Sequence, residues 1–386
     1  MRILVALTYY YPHWTGLTAY ARRLAEGLAQ RGHEVTVLTS QFRPDLDRVE
    51  DHNGVRILRL PTLARLSRGV IMPGFPRAVN EQVKQHDVLQ VHTPMLETNL
   101  VTRIGLVHGK KTVITHHGDL VMPKNPRDRV VERLVTALMK QGGREAARIT
   151  VHSRDYAENS KFLSPFRSKI QCIYPPVELP APDPAGVAAW RVELGLTHHQ
   201  LIGFAGRFVE EKGFDHLLQA IPYVRSQLPE ARFLYAGEIN VVYERFYERW
   251  QHLIEREREG IVMLGLIHDP QRLANFYALC DVFALPSRTD CFPSVQIEAM
   301  LSGTPVVATD IPGAREAVQR TGMGKLVTPG DPRAIAAGLV DVLRRRDEFL
   351  RTRDQIRAVF DSERSLDEYE ALFASLADRR GSDRER

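Results

Sequence analysis

Residues 281–313 read DVFALPSRTDCFPSVQIEAMLSGTPVVATDIPG. The run 281–285 has the length and apolar character of a buried strand and stops at Pro286, which has no N–H to give a ladder. After a short polar loop, helical spacing over 294–302 predicts a helix that begins near Pro293. Proline suits a first helical position, where the missing N–H costs nothing. A second strand is expected over 304–308. Strand, helix and strand in so short a span make a βαβ unit, whose strands lie parallel in one sheet.

The same alternation runs outward in both directions. Further strands are expected at 200–205, 231–236, 261–264 and 324–328, with helices over 212–227, 242–258, 270–279 and 331–345. The tail 347–378 reads as two more helices, and 379–386 as a charged, frayed end. Towards the N-terminus, strands are expected at 2–7, 33–39, 55–60, 87–92, 111–115, 148–152 and 169–174. Several are near-continuous apolar runs, as strands buried on both faces require. A helix over 17–31 places Tyr20, Leu24 and Leu28 on one stripe and stops at Gly32. Another over 129–147 places Val130, Val131, Leu134, Val135, Leu138 and Met139 on one face. Between the two arrays lies PPVELPAPDPAG (175–186), whose five prolines in twelve residues mark a linker. The fold class is therefore α/β, with two doubly wound parallel sheets.

At about 150 residues per domain, the 386 residues fit two domains best. The 44% hydrophobic and 26% charged content excludes collagen-like and wholly disordered chains. Cys172, Cys280 and Cys291 show no CxxC pairing, which argues against a disulfide framework or zinc ribbon and points to a reducing cytoplasm. No stretch reaches the ~18 apolar residues of a membrane-spanning helix, and 3–7 is too short for a signal-peptide core. The net charge of +5 is unevenly placed. Residues 1–180 hold 26 Lys and Arg against 16 Asp and Glu, a net of +10, while residues 181–386 carry a net of −5. Drift in surface composition would explain this, and so would a polyanionic or membrane-surface partner for the first half.

In doubly wound sheets, ligands bind beyond the carboxyl ends of the strands, so the loops after strands carry the chemistry. After 281–285, the backbone N–H groups of Ser294, Val295 and Gln296 at a helix N-terminus form an anion site suited to a diphosphate. The carboxylates of Asp290 and Glu298 would accept hydrogen bonds from sugar hydroxyls; ordinary surface acids on a capped helix are the alternative. After 200–205, Gly206 lets the chain turn, and Arg207 and Lys212 follow. A lysine at the start of helix 212–227 opposes the helix dipole, which an anionic ligand would explain. Surface salt bridges to Glu210 or Glu211 are the alternative. After 111–115, His116 and His117 are neighbours on an extended chain and point opposite ways, so they do not easily share a metal ion. One packed and one facing a cleft is expected. After 2–7, Gly16 opens a helix and lets a ligand approach the backbone. There is no GxGxxG, which argues against a nicotinamide dinucleotide.

Taken together, LAEGLAQRGHEVTVLT after the first strand, Thr115–Gly118, GRFVEEKG (206–213) and DCFPSVQIEAMLSGTPVVA (290–308) resemble a retaining family 4 glycosyltransferase of the GT-B fold, over essentially the full length. The resemblance implies two facing Rossmann-like domains. An acceptor-binding domain would span 1–179, joined by a C-terminal helix over about 362–386, and a nucleotide-sugar-binding domain would span 180–361. Cleft closure would hinge at 175–186 and near 360. It further implies that Arg207 and Lys212 hold the diphosphate and that Glu298 meets the ribose. The loop Gly265–Ile267 would meet the base, and Gly206, Phe292, Pro293, Ser294 and Val295, with Gly16, would line the donor site. His117 would contact the donor sugar. The family's signature usually begins with Glu where this chain has Asp290, which shortens the carboxylate arm by about 1.5 Å.

The implied reaction is transfer from a UDP- or GDP-sugar to an acceptor hydroxyl with retention of configuration, in the synthesis of a glycolipid, a cell-surface polysaccharide or a related glycan. With no DxD pair at a strand end, neither metal nor other cofactor is expected; two cations and a helix N-terminus stabilise the departing diphosphate. Residues 63–79 mix Arg65, Arg68 and Arg77 with apolar side chains. With the basic first half, they point to a lipid-linked or anionic acceptor and to peripheral binding at the inner face of the cytoplasmic membrane. Nucleic acid is not an expected partner, because the basic residues are scattered. A nucleotide-sugar epimerase of the same fold, a sugar phosphorylase and a degenerate sugar-binding protein are the competing readings.

Overall fold

The computed structural model describes residues 1–66, 69–121, 126–239 and 246–377. The chain divides into two compact units, one of Met1–Pro176 with the segment from Ser362 onward, the other of Val177–Asp361.

The first unit contains β1 (Arg2–Ala6), β2 (Glu34–Gln41), β3 (Val49–His52), β4 (Val55–Pro61), β5 (Ala64–Leu66), β6 (Gly69–Ile71), β7 (Val88–Thr93), β8 (Lys111–His116), β9 (Arg148–Val151) and β10 (Ile170–Cys172). Its main sheet runs β10-β9-β8-β7-β1-β2-β4-β3. All pairings are parallel except β3 with β4. Every residue of β7 is buried, as a central strand covered on both faces must be. The strand order reverses between β1 and β7, so the loops after these two strands flank the switch point where such sheets bind ligands.

The helix Gly16–Gln30 starts at a capping box in which Thr15 and Thr18 satisfy each other's backbone N–H groups. It buries Tyr20, Ala21, Leu24, Ala25 and Leu28. The last described helix, Ser362–Ala377, returns to this unit and places Leu366, Tyr369, Leu372, Phe373 and Leu376 in the same core. Arg31 fastens it with contacts to Glu363 at 2.7 Å, Asp367 at 2.7 Å and Glu370 at 3.1 Å.

The second unit contains β11 (Gln200–Ala205), β12 (Ala231–Ala236), β13 (Ile261–Gly265), β14 (Val282–Leu285), β15 (Val306–Thr309) and β16 (Gly324–Val327). They form one parallel sheet in the order β13-β12-β11-β14-β15-β16. The order reverses between β11 and β14, so residues 206–213 and 286–293 leave its switch point side by side. The core beneath includes Phe204, Phe208, Phe214, Leu217, Ile221 and Phe233, each contributing about 1.5–3 kcal/mol by burial.

Five expectations need correction. The face predicted on 129–147 is largely uncovered, with Val130 65% and Leu134 55% exposed. Burial begins only at Met139, because the helix Pro126–Glu145 meets its neighbours at Gly142 and Gly143, against Thr98 and Phe166. Periodicity reports an amphipathic surface but not what covers it. The linker ends earlier than 186, because Pro184 is the first residue of the helix Pro184–Glu193, capped by Asp183. Lys212 does not open an α-helix. It closes a 3₁₀ turn, Glu210–Lys212, and the helix Phe214–Arg225 starts after Gly213. Pro293 is the N-cap, not the first helical residue, of Ser294–Leu301. The tail holds three short helices where two were expected. The first residues of the helix expected at 242–258, the end 378–386 and Arg68 lie outside the described residues.

Candidate donor and acceptor sites

In the second unit the loops after β11 and β14 are bolted together. Lys212 Nζ donates to Asp290 Oδ2 at 2.6 Å. Arg288 crosses the other way, donating to the Glu210 carbonyl at 2.7 Å and to both carboxylate oxygens of Asp215 at 2.7 and 2.6 Å. Asp215 is almost fully buried. Arg288, which sequence reasoning missed, is thus a clamp rather than a surface cation. Although burial opposes its charge, the Asp215 carboxylate raises its pKa. Arg207 donates to Glu211 at 2.9 Å. The expected alternative, a salt bridge within the turn, is therefore what Arg207 makes, whereas Lys212 reaches across to Asp290.

Two glycines permit this packing. At Gly213, φ is +66° and a Cβ would lie 2.0 Å from the Pro286 carbonyl oxygen. At Gly313, φ is +83° and a Cβ would lie 2.0 Å from the Cys291 carbonyl oxygen. Both contacts seat the 286–293 loop against its neighbours, and any side chain at either position would push it away.

The helix Ser294–Leu301 has no side-chain cap, while Gln296 N–H returns to the Pro293 carbonyl at 3.2 Å. Ser294 and Val295 therefore keep outward N–H groups at the positive end of the helix. Below them, Gln296 is fully buried, and neither end of its amide has a partner among the described residues. Glu298, on the same helix, is buried and accepts from the Tyr277 hydroxyl at 2.8 Å. Gly206 N donates to Ala236 O, and Gly265 O accepts from Gly237 N. The ends of β11, β12 and β13 are thereby stitched into one rim that carries Gly206, Gly265 and Ile267. Phe292 packs on Phe360, with ring centroids 5.8 Å apart, and is nearly buried.

In the first unit Gly16 is exposed, and no atom lies within 4 Å of where its Cβ would be, so the backbone there is open. His116 is the packed member of the histidine pair. It stacks on Phe162 at 4.5 Å and contacts Thr93 Oγ1 at 3.0 Å and Asp119 Oδ1 at 3.2 Å. Burial works against the Asp119 charge, yet hydrogen bonds from His116 and Ser160 hold its pKa down at about 2. His117 is less buried than His116 and does not stand alone. Its Nε2 lies 2.8 Å from His92 Nδ1 and its Nδ1 lies 3.1 Å from His152 Nε2. Burial, then the neighbouring His152 and His92, push its pKa well down, so the ring is neutral. His92 and His152 were missed because each lies at the end of its own strand and only the sheet brings them together. Glu97, after β7, was also missed; burial raises its carboxyl pKa to about 7. Among the described residues, no group of three or more His, Cys, Asp or Glu is arranged to hold a metal ion, and no helix is long and apolar enough to cross a membrane.

Comparisons with known proteins agree with this architecture. The family model described as "Glycosyl transferases group 1" matches residues 199–345, and "Glycosyl transferase 4-like domain" matches residues 15–176. The chain is 28% identical over 360 residues to the D-inositol 3-phosphate glycosyltransferase of Segniliparus rotundus, covering 85% of this chain and 76% of that one. It is 27% identical over 351 residues to the GDP-mannose-dependent alpha-(1-6)-phosphatidylinositol monomannoside mannosyltransferase of Mycolicibacterium smegmatis, covering 86% of each. The crystal structure of Anabaena HepE with UDP and glucose superposes with a TM-score of 0.79 at 19% identity, over 97% of this chain and 100% of that one. With both sheets wound in the same order and both family models matched in sequence, the chain belongs to the group 1 glycosyltransferases of the family 4 type, with the GT-B fold.

Proposed function

We propose that this glycosyltransferase moves a sugar from a UDP- or GDP-sugar to an acceptor hydroxyl with retention of anomeric configuration and without a metal ion. The observation that carries this reading is the convergence of Arg207, Lys212 and the N–H groups of Ser294 and Val295 at the switch point of the second unit. A diphosphate placed there would take Lys212 from Asp290 and Arg207 from Glu211, exchanging one anionic partner for another. The buried Gln296 amide, which has no partner among the described residues, would find one in the same ligand. Glu298 would meet the ribose, and Gly265–Ile267 the base.

As the C1–O bond breaks, negative charge grows on the leaving diphosphate. The two cations and the helix N-terminus favour that state over the ground state. The acceptor oxygen bonds to C1 on the same face, and its proton passes to the departing phosphate oxygen. His117 would meet the donor sugar. Lys212→Ala and Arg207→Ala should each lower turnover by about 10²-fold; near-normal turnover in both would refute the assignment. Full activity after treatment with a chelator, and retained anomeric configuration by NMR of the product, are expected. Conversion of donor without acceptor would favour an epimerase.

The acceptor reading rests on the first unit. Its net charge of +10 over residues 1–180 accompanies exposed Leu63, Ile71, Val121, Val130 and Leu134. We infer an interfacial surface for an anionic, lipid-linked acceptor at the inner face of the cytoplasmic membrane. Two named relatives act on inositol phosphate or phosphatidylinositol compounds, chemistry of that kind. Vesicles containing phosphatidylglycerol should sediment the protein at low salt, and failure to do so would refute the membrane reading.

A further inference from the structure

Three adjacent strands each deliver a histidine to the carboxyl edge of the first sheet. His92 is the penultimate residue of β7, His117 follows β8 and His152 follows β9. Hydrogen bonding joins them in a row: His92 Nδ1 to His117 Nε2 at 2.8 Å, and His117 Nδ1 to His152 Nε2 at 3.1 Å. The rings of His92 and His117 lie 5.1 Å apart and nearly parallel, those of His117 and His152 4.8 Å apart. Tyr20, from the helix Gly16–Gln30, packs on all three at 4.7 to 5.9 Å. The Tyr20 hydroxyl donates to Tyr369 on the returning C-terminal helix at 2.6 Å, and Tyr369 donates to Thr150 on β9 at 2.9 Å. His116 is the remaining titratable neighbour of His117.

A neutral imidazole carries one N–H, so a row of three must point one way. The two hydrogen bonds tie the three tautomers together: if His117 donates from Nδ1 it accepts at Nε2 from His92, and if it donates from Nε2 it accepts at Nδ1 from His152. The outer nitrogens, His92 Nε2 and His152 Nδ1, are both buried with no hydrogen-bond partner among the described residues. Whichever way the row points, one outer nitrogen is an N–H and the other a bare lone pair.

We propose that His92 and His152 are positioning residues for His117, fixing its ring in one orientation and one tautomer through a directional row of hydrogen bonds across three strand ends. The inference rests on the reading that His117 meets the reacting sugar. Both ring nitrogens of His117 are already engaged, so a sugar hydroxyl must replace one neighbouring ring and meets a nitrogen whose role as donor or acceptor is already set. Such second partners decide tautomer and orientation where a histidine works at a reaction centre.

The test combines spectroscopy and kinetics. With 15N-labelled histidine, His117 should show one protonated and one bare ring nitrogen throughout about pH 5 to 8. In His92→Ala and His152→Ala, the tautomer should mix or the ring should titrate. The variants His92→Asn and His152→Gln place an amide where the lost nitrogen was and should restore the single tautomer. Kinetically, the alanine variants should lower kcat about 10- to 100-fold with little change in donor KM and bring a new acid limb into the pH profile, and the amide variants should recover most of the loss. A His117 in the parent protein whose proton is shared between Nδ1 and Nε2, or that titrates within that pH range, would overturn the inference, as would an unaltered pH profile in folded alanine variants. Stoichiometric binding of zinc or nickel by metal-stripped protein, lost in His92→Ala, would overturn it too. If no UDP- or GDP-sugar is turned over at all, the functional reading fails, while the spectra still decide the tautomer.

Discussion

Lys212 and Asp290, 78 positions apart in sequence, share a hydrogen-bonded ion pair of 2.6 Å that closes the two switch-point loops of the second unit on one another. The pair sets a competition: any diphosphate that recruits Lys212 must outbid the carboxylate. Asp290→Asn should therefore tighten binding of UDP or GDP by about fivefold, roughly 1 kcal/mol of charge–charge interaction at a partly buried site. Lys212→Met should weaken it by at least about tenfold. Calorimetric titration with the two nucleotides checks both, and equal affinities in the two variants would contradict the competition.

Gly213→Ala should be more disruptive than an ordinary loop substitution. The left-handed φ costs about 1–2 kcal/mol for any L-side chain, and the Pro286 carbonyl occupies the space a Cβ needs. Lower Tm and weaker nucleotide binding should appear together, because the same displacement moves the loop that carries Asp290.

Arg288→Ala strands the buried Asp215 carboxylate without its bidentate partner. Losing one member of a buried pair costs about 3–5 kcal/mol. Arg288→Ala paired with Asp215→Ala should recover part of this, which denaturant titration of the single and double variants will show.

Glu97 gives stability a pH dependence. Burial raises its folded-state pKa from 4.5 to about 7, so the folded protein holds a proton that the unfolded chain releases. Its contribution falls as pH rises from about 4.5 to about 7, with a full penalty of up to ~3 kcal/mol above that window. Glu97→Gln should raise Tm at pH 8 and change it little at pH 4, as measured by thermal melts at the two values.

Tyr369→Phe removes the bond to Thr150 and the acceptor of the Tyr20 hydroxyl. A loss of about 1–3 kcal/mol is expected. Truncation before Ser362 should be far worse, because it uncovers Tyr20, Leu24 and Leu28; expression of soluble protein from the truncated chain would contradict this.

Much of this was legible from local order. Parallel strands buried on both faces must be short apolar runs, so nearly every strand of both main sheets could be read directly. The antiparallel edge β3 and the pair β5/β6 could not, because half-exposed strands lack that signature. Helix starts were read to within about three residues, an error that shifted Lys212 from a helix to the turn before it and Pro293 from the first helical position to the cap.

Sequence by itself determined the two βαβ arrays, the apolar stripe of the last helix, and which loops follow which strands, because all of these depend on near neighbours. Only the tertiary structure decided who faces whom. Lys212 meets Asp290 rather than Glu211, Arg288 clamps Asp215, and His117 sits between His92 and His152, since those meetings depend on strand order. Strand order is fixed by how two covered sheets bury their apolar faces, and nothing in the spacing of the residues along the chain reports it.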